Sequence, residues 1–199
     1  MIPIFSTQAL LIMGTLAQGA LNAGAAPSSA AATGAAPSSA PVKTAATACL
    51  ASGDGYLRAT LAGAMDAHLD WPNSGTRCEG ESRDKPPGVR LSFQRTADRA
   101  HNLLLVFGLT GVLEGQPARE VKTNLTLIVQ GTSRIYGTLG DSRCTVDSLT
   151  QQPLKIAHSY RLEARGFCTQ PAHAVRGKGD VLVSTFEFAG TVAYDLQKN

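Results

Sequence analysis

Through much of the chain beyond residue 56, apolar and polar side chains alternate with a period of two. Leu57, Ala59, Leu61, Gly63, Met65, Ala67, Leu69 and Trp71 are apolar or small, and Arg58, Thr60, Asp66, His68 and Asp70 lie between them. Successive side chains of a strand point to opposite faces, so this stretch predicts one long half-buried strand, or a hairpin or bulge centred near Gly63. Residues 89–95 alternate in the same way. Residues 103–107 are continuously apolar, which predicts a central strand covered on both faces. Further runs occupy 124–129, 134–139, 159–164 and 181–194, the last with an expected bend or bulge at Gly190. On the strand at 159–164, Tyr160, Leu162 and Ala164 share one face, and Arg161, Arg165 and Phe167 share the other.

Turn-forming clusters separate these runs at 53–55, 71–75, 85–88 and 177–179. The best helical candidate, 148–156, contains Pro153, and no convincing amphipathic helix appears. Many short strands with turns between them predict an all-β fold, an antiparallel β-sandwich or barrel forming a single domain.

The alternation does not extend to the beginning. The 18 Lys and Arg and 15 Asp and Glu residues all lie between positions 43 and 199. Residues 9–17 form an apolar run shorter than the ~20 residues of a membrane-spanning helix, and they fit the central region of a secretory signal. Ala23-Gly24-Ala25 supplies an A-x-A cleavage pattern, which predicts a signal peptide over 1–25. Its first eight residues lack Lys and Arg, an element such signals ordinarily carry. The heptapeptide GAAPSSA at 24–30 recurs at 34–40. Two copies do not build a solenoid, and side chains this small bury too little surface to offset ordering entropy. Residues 26–48 are therefore expected to be a disordered linker rich in Ala, Pro and Ser, with the globular domain at 49–199. The leader has the composition of a bacterial export signal, and the expected location is periplasmic or secreted, with no transmembrane segment after signal cleavage.

Export changes the meaning of the cysteines. Cys49, Cys78, Cys144 and Cys168 all lie in the body, and an even count in an oxidising compartment predicts two disulfides. The sequential pairing, Cys49 with Cys78 and Cys144 with Cys168, closes the shortest loops. Each would restrict the unfolded chain by roughly 3–4 kcal/mol on the chain-entropy model. The crossed pairings stay open. No C-x-x-C or C-x-x-H pair exists to start a structural zinc site.

The net charge of +3 comes from interspersed residues without a Lys/Arg stripe, so no nucleic-acid partner is expected. The nucleophile elbow G-x-S-x-G is absent. So are the nucleotide-binding glycine patterns, and no cofactor is expected. Residues 140–147 lack the ligand spacing of an EF-hand and predict a turn leading into a disulfide. Asn124-Leu125-Thr126 is a glycosylation sequon, of consequence only in a eukaryotic secretory route.

The sharpest chemical candidate is Asp66, His68 and Asp70. On a strand they would share one face at ~7 Å spacing. His68-Leu69-Asp70 has the H-x-D spacing of a two-His, one-carboxylate metal site, for which His101, His158 or His173 could supply the distal ligand. The competing account is a solvent-facing strand, because the alternation runs far beyond these three residues. Three functional expectations follow. The first is an exported, disulfide-stapled, non-enzymatic β-domain that binds an unknown protein or envelope ligand. The second is a metal-dependent enzyme or metal-binding protein centred on Asp66, His68 and Asp70. The third is a structural or adhesive surface domain.

Overall fold

The computed structural model describes residues 48–95, 102–140 and 142–195. All fall in Lys43–Asn199, the second of the two units into which the chain divides. The expected signal peptide and almost all of the expected linker lie outside the described residues, as does His101.

Among the described residues every regular element is a strand. β1 (Tyr56–Gly63) and β2 (Ala67–Pro72) form a hairpin, which decides among the alternatives posed around Gly63. Gly63 has a φ of 106°, a conformation open to glycine, and its amide donates to Asp66 Oδ1 at 2.9 Å, which closes the turn. β3 (Thr76–Asp84), β4 (Pro87–Arg95), β5 (Leu103–Thr110) and β6 (Val121–Val129) follow as an antiparallel meander. One edge of β6 then serves two partners: β8 (Cys144–Pro153) at 121–123 and β7 (Ile135–Gly137) at 126–128. β9 (Ser159–Cys168) joins β8 to β11 (Asp180–Ala193), and β10 (Ala172–Arg176) joins β7 to the start of β11.

The circuit β3-β4-β5-β6-β8-β9-β11 is a closed seven-stranded barrel, sealed where Ala193 runs parallel to Glu81. β1 and β2 continue the sheet from the same edge of β11 that meets β3, opposite β9. Closure removes sheet edges that would otherwise be open to pairing. The interior is packed with side chains. Phe93, Phe107, Phe186 and Phe188 stack in its centre, with Phe107 and Phe188 ring centroids 4.7 Å apart. Each such burial is worth ~1.5–3 kcal/mol, so the lumen is a core.

Both disulfides have the sequential connectivity. Cys49–Cys78 fastens the segment ahead of β1 to β3, with Cα atoms 4.8 Å apart. Cys144–Cys168 links directly opposed residues of β8 and β9, with Cα atoms 3.9 Å apart.

Two expectations are corrected. Residues 148–156 are not helical, because β8 runs to Pro153 between β6 and β9. Gly190 is not a bulge. Register with β9 is continuous there, and the irregularity lies between Thr60 and Leu61, where Ser184 is the extra residue on β11. Gly190 is small for a different reason: a Cβ at this position would sit 2.8 Å from Phe93 Cζ.

Candidate functional site

Strand register assembles a charged plateau on the outer face of β2, β1, β11, β9 and β8. Asp70 opposes Arg58, Arg58 opposes Glu187, Glu187 opposes Arg165, and Arg165 opposes Ser148. The row above it runs from Tyr56 through Ala189 to Glu163 and Thr150. Side chains directly opposite across strands stand ~4.5–5.5 Å apart at Cβ, so each row is a line of contacts.

The charges in the first row are shared unequally. Arg58 takes both carboxylates, with Nη1 2.8 Å from Glu187 Oε1 and Nε 3.2 Å from Asp70 Oδ1. Its guanidinium also lies 5.0 Å from the centre of the Tyr56 ring, a cation–π contact. Glu187 is drawn toward β1, and among the described residues no carboxylate pairs with the exposed Arg165.

The second row is held by Arg161, whose Nη1 donates to Glu163 Oε2 at 2.7 Å. Arg161 Nε also lies 2.6 Å from Asp54 Oδ2, out of line for a hydrogen bond, so that contact is an ion pair. The Arg161 hydrogen bond holds the Glu163 carboxyl below its ordinary pKa against the opposing pull of burial. Tyr56 donates to Glu163 Oε1 at 3.1 Å. Burial, with the Glu163 charge beside it, pushes the Tyr56 hydroxyl up to about 12. The Asp54 carboxyl is lowered first by a hydrogen bond from Ser52, with Arg161 adding to it.

Two shallow depressions of about 370 and 360 Å³ flank Arg165, and both share Arg165 and Glu187 as walls. The first adds Tyr56, Ser148, Thr150 and Glu163. The second adds Thr60, His68, Asp147 and Thr185.

The proposed metal residues are distributed along this surface without converging. Asp66 precedes β2 and caps Gly63, His68 Nδ1 lies 3.4 Å from Thr60 Oγ1, and Asp70 belongs to Arg58. Of the possible distal ligands, His158 pairs with Glu114 at 2.9 Å and His173 with Asp180 at 3.0 Å. Among the described residues no group of three His, Cys, Asp or Glu is placed to hold a metal ion.

A second polar cluster caps one end of the barrel. Tyr160 and Tyr194 meet edge to face at 5.7 Å, and Glu114 accepts from Tyr160 at 3.1 Å. Gln151 Nε2 donates to the carbonyls of Leu113 and Gln116, both at 2.8 Å, and so straps the loop between β5 and β6 to β8. Burial pushes the Tyr194 hydroxyl up to about 12.

Comparison with known protein families, with curated proteins and with solved structures finds no match. The chain's own chemistry carries the assignment. Among the described residues no helix is long and apolar enough to cross a membrane. Among the described residues Arg165 offers a planar cation without a carboxylate partner, which can receive a ligand carboxylate through two parallel hydrogen bonds. Around it lie carboxylates that accept hydrogen bonds and hydroxyls that donate or accept them. Sequence reasoning identified the Arg161/Arg165 face of β9. It missed Tyr56 and Glu187, which cross-strand register brings in from β1 and β11, and it passed over Glu163, which the period of two already places between Arg161 and Arg165 on that face.

Proposed function

We propose that the protein is an exported, non-enzymatic binding domain that takes an acidic saccharide on the plateau formed by β1, β11, β9 and β8. The observation that carries this reading is Arg165: its cross-strand carboxylate is diverted to Arg58, so among the described residues its guanidinium has no carboxylate partner and lies between two depressions. A ligand carboxylate would occupy that fork. Sugar hydroxyls would donate to Glu163 and Glu187 and exchange hydrogen bonds with Ser148 and Thr150. Export is supported by the 1–25 leader pattern together with two disulfides, which persist in periplasmic or extracellular surroundings.

Calorimetric titration with oligogalacturonate and with its methyl ester tests the reading. The acid should bind and the ester should bind at least ~10-fold more weakly, since a hydrogen bond to a charged group is worth ~1.5–3 kcal/mol. Arg165→Gln should remove that preference. Equal affinity for acid and ester, or undiminished binding by the variant, would overturn the assignment. A purely structural or adhesive domain would leave both probes unbound.

A further inference from the structure

The strands β5, β6, β7 and β10 present another outer face, and its composition differs from the plateau. Register aligns Leu104 with Ile128, Ile128 with Ile135, and Ile135 with Arg176. All three aliphatic side chains point away from the packed lumen and are only half-buried. In the adjacent row stands Gly137, where an added Cβ would lie 3.5 Å from Val175 Cγ2 and 3.7 Å from Leu139 Cδ2. Val175 and Leu139 thus close over a glycine, yet they remain 55% and 74% exposed.

Leu139 is held outward at some cost. Its φ is 51°, in the left-handed region that a bulky side chain rarely adopts. The preceding residue fixes it there: Thr138 N donates to the Leu125 carbonyl at 3.0 Å, and Leu125 N donates to Thr138 Oγ1 at 3.0 Å. The outcome is a large aliphatic side chain anchored in solvent beside a row of aliphatics.

The border of this face is basic. Arg134, Arg176 and Lys178 are exposed, and the Arg134 stem lies against Gly177, with Cγ 3.2 Å from the position of an added Cβ. Two carboxylates stand on the adjoining turns, Asp180 beside His173 and Asp66 on the Gly63 amide, and the three cations outnumber them.

We infer that this face docks on an anionic lipid bilayer. Leu139 and Val175 enter the boundary between headgroups and acyl chains, and Arg134, Arg176 and Lys178 meet the lipid phosphates. Charge selects this occupant. A two-fold pairing of the chain with itself would bring the same three cations of each copy to one interface, whereas a phosphate surface complements them. Aliphatic side chains ringed by Lys and Arg are the combination that peripheral membrane binding uses. The inference is independent of the acidic-saccharide reading, which concerns different strands.

The experiment is cosedimentation of the exported protein with vesicles of phosphatidylcholine alone and of phosphatidylcholine mixed with phosphatidylglycerol. Binding should occur to the mixed vesicles and fall as salt rises. Arg176→Gln and Lys178→Gln should each weaken it roughly five-fold, the contribution of one basic residue near an anionic surface. Leu139→Ser should weaken it at unchanged charge, and Arg165→Gln should leave it unaltered. Circular dichroism and melting temperature serve as folding controls for these exposed positions. Equal binding to both vesicle types, or binding to neither, would overturn the inference. So would a concentration-dependent dimer by sedimentation velocity that Leu139→Ser dissociates.

Discussion

Tyr56 on β1 donates a hydrogen bond to Glu163 on β9 across 3.1 Å, although these strands never pair with each other. β11 lies between them, and its residue in that row is Ala189, which opposes both. The small side chain lets the tyrosine lie over it and reach the carboxylate. A leucine at 189 would fill that space, separating Tyr56 from Glu163 and forcing off-rotamer packing. Ala189→Leu should destabilise by ~1–3 kcal/mol in a denaturant titration.

The hydroxyls of Tyr56 and Tyr194 are both raised to about 12 by burial. A raised pKa in the folded state means that the fold retains protons the unfolded chain has released. Stability should therefore be level up to the ordinary tyrosine value near ~10 and decline as pH rises from there toward 12. Burial and the hydrogen bond to Glu114 also raise the Tyr160 hydroxyl. Absorbance of phenolate against pH should therefore show late-titrating groups that include Tyr56 and Tyr194, and Tyr56→Phe should remove one of them. Normal titration of all tyrosines would refute the buried placement of both.

Glu163 titrates in the opposite sense. Its pKa is depressed by the Arg161 hydrogen bond, and Asp54 is depressed beside Ser52 and Arg161. A depressed carboxyl contributes stability that is present above its unfolded value of ~4.3 and is lost as pH falls through the folded one. Glu163→Gln removes one such carboxylate, so the acid limb of the stability curve should become shallower. An unchanged acid limb would mean that the pair contributes nothing, as many exposed ion pairs do.

The strands with strong alternation were legible: β1, β2, β4 and β6 stand where Leu57 to Trp71, Val89 to Phe93 and Leu125 to Val129 place them. β3 was not, because Thr76-Arg77-Cys78-Glu79-Gly80-Glu81 offers only two inward side chains of any size, Thr76 and the disulfide-bonded Cys78. β8 was obscured by Gln, Thr and Ser, which pack here only because β6 and β9 flank it. Period-two reasoning located the outward face of β9 yet could not tell which strand would lie beside it. The plateau depends on pairings between residues more than 100 positions apart, such as Tyr56 with Glu163, and no local pattern encodes these.

His68 separates the metal reading from the surface one. Its side chain is exposed beside Thr60, while Asp70 is committed to Arg58. Elemental analysis of protein purified without an affinity tag should show no stoichiometric transition metal, and His68→Ala should leave that content unchanged. Stoichiometric metal that disappears in His68→Ala would revive the H-x-D site.

Leu139 allows stability and surface function to be separated in one residue. At a φ of 51° a leucine carries backbone strain that glycine does not, and its side chain is mostly in solvent. Leu139→Gly should therefore stabilise the fold or leave it unchanged, by up to ~1 kcal/mol after the glycine's greater unfolded-state entropy is set against the relieved strain. If the leucine serves only packing, its loss should destabilise and have no effect on vesicle binding. If it serves the bilayer, the glycine variant should melt no lower than the parent and still bind anionic vesicles more weakly. A strained, exposed leucine gains apolar burial where another surface covers it, and this pair of measurements asks whether that surface is lipid.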